Sequence, residues 1–152
     1  MINISELLSK EAILLNVKSK DKISVIRELV SLLVKQNMVL DEGELLRDIL
    51  KRENLESTGI GLGIAIPHAR TKAVNSLSLA FGRSKEGVDF SSIDGKPSYL
   101  IFLIAAPEEE KTKYIMALAK LSKILRKETV RKKLLEASSQ EEVLEIIKNA
   151  ES

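Results

Sequence analysis

The nine residues Tyr99–Pro107, YLIFLIAAP, constrain this chain more than any other segment. A run of consecutive apolar residues this short reads as a strand, and Pro107 closes it. Such a strand has no polar face to turn to water, so a sheet built on it must be covered on both sides. The cover must come from the amphipathic segments around it. The pattern is therefore that of an α/β fold.

Those segments are readable one by one. Glu11–Val17 reads as a short edge strand. Asp21 is placed to cap a helix whose one face carries Ile26, Leu29, Val30 and Leu33. Asp41 with Glu44 resembles a capping box. It opens a helix that buries Leu45, Leu46, Ile49 and Leu50 and ends near Arg52. Ser57–His68, STGIGLGIAIPH, has three glycines at alternate positions, then a short apolar strand, then Pro67. Leu77–Gly82 is a second strand, and Asp94-Gly95 marks a turn before the Tyr99–Ala106 strand. Glu108, Glu109 and Glu110 read as the acidic first turn of a helix, where the macrodipole favours them. In that helix Ile115, Leu118, Leu121, Ser122 and Leu125 share a face. Thr129 is placed to cap the next helix. Ser138 or Ser139, with Glu141 or Glu142, caps the last, which buries Val143, Ile146 and Ile147. No repeat or linker composition divides the 152 residues, so one domain over 1–152 is expected.

Composition removes several function classes. The chain has no Cys and one His, so neither disulfides nor a Cys/His zinc site can be built. No segment resembles an EF-hand loop. With 24 basic and 22 acidic residues the net charge is +2, too balanced for a nucleic-acid binder. The late basic cluster Lys123, Arg126, Lys127, Arg131, Lys132 and Lys133 reads as a solvated helix face. Two Tyr, three Phe and no Trp leave little for base stacking. No apolar run approaches the roughly 18 residues of a membrane span, and the first residues lack the basic and apolar regions of a signal peptide. A cytoplasmic protein without direct membrane insertion is expected.

The chemistry left to such a chain centres on His68. It follows a proline at the end of an apolar strand, and strand ends are where ligand sites collect in α/β folds. A neutral imidazole is a competent nucleophile near pH 7. A lone histidine without context is more often a surface or hydrogen-bonded residue; here the surrounding motif favours function. Gly59, Gly61 and Gly63 fit neither nucleotide-binding glycine pattern and precede a strand. They read as a tight loop whose backbone approaches another element or an anion, or as turn and bulge residues only. A serine hydrolase is excluded by the lack of G-x-S-x-G.

The segment RENLESTGIGLGIAIPHAR, Arg52–Arg70, closely resembles the active-site signature of the enzyme IIA domains of the fructose/mannitol phosphotransferase class. That class includes nitrogen-regulatory relatives. The similarity continues through LAFGRSKEGVDFSSIDGKPSYLIFLIAAPEE and the helix ALAKLSKIL, and so spans nearly the whole chain. It implies a mixed central sheet flanked by helices on both faces in one three-layer domain. It implies a phosphocarrier of sugar transport in which His68 accepts phosphate from the phosphohistidine of HPr. The phosphate then passes to an enzyme IIB domain, whose acceptor in this class is cysteine. The resemblance suggests Nε2 as the phosphorylated atom, with Nδ1 held by a backbone carbonyl.

Residue by residue, Arg52 matches the family's active-site arginine, sixteen positions before His68. Arginine neutralises a phosphate with bidentate geometry that lysine does not reproduce. The alternative for Arg52 is an ion pair with Glu53. Thr58 and Gly59 match the adjoining loop, whose hydroxyl and amides could donate to phosphate. Many relatives carry a second histidine where this chain has Tyr114, which could support the site through its phenol or merely pack. Arg70 and Arg83 read as structural, and the apolar residues near His68 as a docking patch for HPr and IIB. No metal and no cofactor is implied.

Two functional readings share this histidine. In one, the chain relays phosphate to fructose or a related sugar or polyol. In the other, phosphorylation of His68 switches binding to a regulatory protein partner such as a kinase or channel. A degenerate homologue without phosphotransfer is argued against by the intact His68 and Arg52.

Overall fold

The computed structural model describes residues 2–152, so the first residue of the expected 1–152 span lies outside it. In chain order the elements are α1 (Ile4–Leu7), β1 (Ile13–Leu14), α2 (Lys22–Lys35), α3 (Glu42–Leu55), β2 (Gly59–Gly61), β3 (Ile64–Ala65), β4 (His68–Arg70), β5 (Ser78–Val88), β6 (Ser98–Ala106), α4 (Lys111–Leu125), α5 (Glu128–Glu136) and α6 (Gln140–Glu151).

The long apolar run becomes β6, the centre of a six-stranded mixed sheet of order β1-β5-β6-β3-β2, with β4 also paired to β6. All but one of its residues are buried, as a strand covered on both faces requires. The cover is helical. α2 packs on β5 and β6 and its neighbour α3 on β4, while α4 and α5 pack against β6 as part of a second helical group with α6. Gly82 shows how closely α2 lies on the sheet: a Cβ there would stand 2.8 Å from Leu29 Cδ2. This is the mixed sheet flanked by helices that the sequence leads one to expect.

The helix starts follow their caps in three cases. Asp21 accepts from Ser24 N–H, Asp41 from Glu44 N–H and Ser139 from Glu142 N–H, each through the side chain. Two local expectations need correction. Thr129 does not cap α5, which begins at Glu128; the Lys127 carbonyl takes the Val130 and Arg131 N–H groups instead. Glu108–Glu110 do not form the first turn of α4. They lie before it, in a turn closed by Glu110 N–H on the Pro107 carbonyl, and α4 opens with Lys111. The burial of α4 is also rotated: Ala117, Leu121, Ile124 and Leu125 are buried, whereas Ile115 is 51% exposed.

The strands differ mainly in length. The Glu11–Val17 edge strand shrinks to β1, which pairs in parallel with β5 only, Ile13 opposite Phe81. β5 runs six residues past Gly82, because antiparallel pairing with β6 continues beyond a bulge to Val88 opposite Ser98. α3 runs on past Arg52 to Leu55, which brings Glu53 into its buried stripe with Leu45 and Ile49.

Candidate functional site

β3 and β4 lie end to end along β6, in one continuous register: Ala65 opposite Ile101 and His68 opposite Ile104. Pro67 interrupts them because it has no N–H to give the ladder. At the interruption the Ile66 N–H goes to the Thr58 carbonyl at 3.0 Å, and the Ile66 carbonyl is left for a side chain. His68 Nδ1 takes it, at 2.6 Å. A carbonyl only accepts, so this bond requires the proton on Nδ1 and leaves the lone pair on Nε2. Burial pushes the His68 imidazole below the usual histidine range. The Ile66 bond opposes that shift and the Arg52 charge adds to it. The ring thus favours its neutral form, with the lone pair on Nε2.

Arg52 comes from the last turn of α3. Its Nη1 donates to the Glu56 carbonyl at 2.7 Å, a bond that closes the helix end and orients the guanidinium. It is close enough for its charge to act on both His68 and Tyr114. Among the described residues it makes no ion pair. The anticipated alternative partner, Glu53, is bound instead to Lys22, Nζ to Oε2 at 3.2 Å.

Tyr114 sits in the first turn of α4 with its ring centroid 5.7 Å from that of His68, tilted by 56°. That is an ordinary aromatic contact geometry. Burial pushes its phenol above the usual range, while Arg52 and Arg70 pull the other way. Asp48, Lys51, Arg52, Leu55, Ala69, Arg70, Glu108 and Tyr114 line a cleft of about 290 Å³, which carries two carboxylates beside its cations; His68 adjoins it through Ala69 and the Tyr114 ring. Two larger clefts, of about 530 and 550 Å³, lie where the chain ends meet between α1, α4 and α6 and have no part of this chemistry.

The loop residues behave differently from expectation. The Thr58 hydroxyl donates to Glu53 Oε1 and its N–H to Glu53 Oε2 at 3.0 Å, and Thr58 is buried. Its one hydroxyl proton is spent, so it is not a phosphate donor in this arrangement. Gly59 N–H is likewise spent on Ser57 Oγ at 2.9 Å. Both readings open for this glycine are met: the register with β3 shifts between Gly59 and Gly61, and the backbone closely approaches another element. A Cβ at Gly59 would stand 2.2 Å from Ser92 Oγ and 3.1 Å from Ser92 Cα. Thr58 is tied to His68 only through Ile66, whose N–H goes to the Thr58 carbonyl.

Two residues were undervalued. Arg83 does prove structural, its guanidinium reaching the carbonyls of Leu15, Leu134, Leu135 and Ala137. Arg70 is structural too, its Nη1 donating to the Glu108 carbonyl at 3.1 Å, but it also alternates with buried Ala69 and so shares a face of β4 with His68. The period-2 spacing H-A-R was the available signal. Glu53 is the second, and its spacing of four from Ile49 was the signal. Of the apolar patch, Leu55, 78% exposed, lines the cleft, and exposed Ile115 follows Tyr114. Among the described residues no group of His, Cys, Asp or Glu side chains is placed to hold a metal ion, and no helix is long and apolar enough to cross a membrane.

The sequence model of the family described as phosphoenolpyruvate-dependent sugar phosphotransferase system, EIIA 2, matches residues 6–150. The chain belongs to this family. It is 48% identical over 146 residues to the PTS system fructose-specific EIIABC component of Bacillus subtilis, covering 96% of this chain but only 23% of that protein. The crystal structure of nitrogen regulatory protein IIA-Ntr from Neisseria meningitidis superposes with a TM-score of 0.89 at 35% identity, covering 95% of this chain and 98% of that one. The complex of enzyme IIAMTL and phosphorylated enzyme IIBMTL from Escherichia coli gives 0.80 at 31% identity, covering 94% and 99%. The EIIA fold is thus shared with relatives of both transport and regulatory name.

Proposed function

We propose that this EIIA domain is a cytoplasmic phosphocarrier that takes a phosphoryl group from phospho-HPr on His68 Nε2 and gives it to a IIB domain of a fructose-type system. The observation that carries the reading is the Nδ1–Ile66 carbonyl bond, which leaves the lone pair on Nε2 of an imidazole that feels the Arg52 charge. In the first transfer the Nε2 lone pair attacks phosphorus, an N–P bond forms on His68, and the N–P bond of the donor histidine breaks. In the second, a thiolate attacks phosphorus, and the N–P bond to His68 breaks to restore the neutral ring. Both steps need an in-line nucleophile and charge stabilisation on the equatorial oxygens. Arg52 supplies the latter, and Tyr114 and Arg70 flank it. Exposed Leu55 and Ile115 fit a small, transient docking patch.

The test is phosphorylation with phosphoenolpyruvate, enzyme I and HPr, followed by intact-protein mass spectrometry at neutral pH. One acid-labile phosphate is expected, absent in His68→Ala, and transferable to a fructose-type IIB domain. A phosphate adduct that survives His68→Ala would overturn the assignment. The likeness to the nitrogen regulatory protein supports a second reading, in which phospho-His68 switches binding to a regulatory partner. A chain that accepts phosphate but passes it to no IIB domain would favour that reading.

A further inference from the structure

We infer that Glu53 is a positioning residue, the single anchor that holds both Arg52 and the reactive tautomer of His68 in place; this rests on the carrier reading above. Its side chain is 2% exposed, in the last turn of α3. A carboxylate is costly to bury unless it is fully partnered, and this one is. Oε2 takes Lys22 Nζ at 3.2 Å and Thr58 N–H at 3.0 Å, and Oε1 takes the Thr58 hydroxyl.

From Glu53 an unbroken path of bonds leads to the imidazole. Glu53 holds the Thr58 backbone, the Thr58 carbonyl takes the Ile66 N–H at 3.0 Å, and the Ile66 carbonyl takes His68 Nδ1 at 2.6 Å. Each bond fixes the partner of the next. If Thr58 withdraws, Ile66 loses its N–H acceptor and its carbonyl is free to swing away from Nδ1. The proton on Nδ1 then has no reason to stay there, and Nε2 loses its claim to the lone pair. The same carboxylate ties down the helical turn that carries Arg52, the adjacent residue. Glu53 therefore sets the relation between the nucleophile and the cation from one point. Lys22, itself over the Phe90 ring at 5.7 Å, holds the carboxylate in place.

The geometry also says which replacement should succeed. In Glu53→Gln the amide oxygen can take the Oε2 position, accepting Lys22 and Thr58 N–H. The amide NH₂ can then donate to the Thr58 hydroxyl, which is able to accept. Glu53→Asp keeps the charge but is one methylene too short to hold Lys22 and Thr58 together. Position and charge are thereby separated.

His68 is the only histidine in the chain, so its ring ¹⁵N resonances report the tautomer without ambiguity. Wild type and Glu53→Gln should show the proton on Nδ1 and similar rates of phosphate acceptance from phospho-HPr. Glu53→Ala and Glu53→Asp should show a mixture of tautomers and a rate lower on the order of 10²-fold, the scale of a small misplacement of reacting groups. Thermal melts establish that each variant is folded, and Glu53→Asp decides alone if Glu53→Ala does not melt cooperatively. A folded Glu53→Asp with the wild-type tautomer and rate would overturn the inference. So would a Glu53→Gln chain as impaired as Glu53→Asp. The tautomer spectrum needs no phosphodonor, so a chain that takes no phosphate sinks the carrier reading without touching this result.

Discussion

Replacing Arg52 by lysine keeps a positive charge at the end of α3 and removes the planar fork. One nitrogen of that fork is already committed to the Glu56 carbonyl at 2.7 Å, which leaves the other N–H groups to meet a phosphoryl group as a pre-oriented set. An ammonium on a flexible stem can take the Glu56 carbonyl or a phosphate oxygen, without presenting two parallel donors. Removing a pre-organised donor at a developing charge costs on the order of 10²-fold in rate, about 2.7 kcal/mol. The Arg52 charge also lowers the His68 pKa, so geometry and charge are separable with a second variant. Arg52→Lys should slow acceptance from phospho-HPr by about that factor and leave the His68 titration where it is. Arg52→Gln should slow it further and move the titration upward. The assay is the rate of phosphate acceptance alongside an NMR pH titration of the one histidine, with a thermal melt for each variant. A wild-type rate in Arg52→Lys would make Arg52 a helix cap and nothing more. An unmoved titration in Arg52→Gln would place the cation too far away to act on phosphate.

The depressed His68 pKa sets the pH behaviour: acceptance should be flat above 6.5 and fall only below it, because the protonated ring has no lone pair to offer. Its folded pKa lies below the unfolded one, so the His68 contribution to stability is present above the unfolded value of 6.5 and is lost as pH falls through the folded value; urea midpoints should show a shallower acid decline in His68→Gln. Gly59→Ala forces a Cβ to within 2.2 Å of Ser92 Oγ and should cost about 1–3 kcal/mol, read as a lower melting temperature. Arg70→Gln should slow phosphate acceptance by about tenfold, the scale of one hydrogen bond to a charged group, and an unchanged rate would return Arg70 to its bond with the Glu108 carbonyl alone. Tyr114→Phe should cost at most about 1.5–3 kcal/mol of transfer barrier, and Tyr114→His should keep or raise activity; an unchanged Phe variant would leave Tyr114 as packing against the imidazole.

The fold was legible where side-chain burial dictates the element. β6 announces itself because it is apolar at consecutive positions, and α2 because Ile26, Leu29, Val30 and Leu33 recur at helical spacing and are all buried. It was illegible where backbone pairing dictates the element without help from side chains. The stretch Arg83–Val88 carries Ser, Lys, Glu and Gly, yet it extends β5 because its ends pair antiparallel with β6, Arg83 opposite Leu100 and Val88 opposite Ser98, across a bulge. The glycine segment Gly59–Gly61 becomes β2 for the same reason, drawn into the sheet by β3. Ile115 failed in the opposite sense: it fits a helical apolar stripe, but α4 turns that position towards solvent beside Tyr114.

At the site, the residues proposed to meet a phosphate were easier to find than those that hold them. His68 and Arg52 are single, chemically distinctive groups at a fixed separation, and a motif records both. Thr58 is ambiguous from sequence, because a hydroxyl has one proton and several possible acceptors, and nothing local says which one wins. The decision is made in the next turn of the chain. Glu53 lies four residues after Ile49 and eight after Leu45, so α3 points it into the apolar interior, and a buried carboxylate takes every donor within reach. Thr58 supplies two of them. The loop hydroxyl is thus lost to phosphate by the burial of an acid, and that same loss secures the Ile66 carbonyl that sets the His68 tautomer.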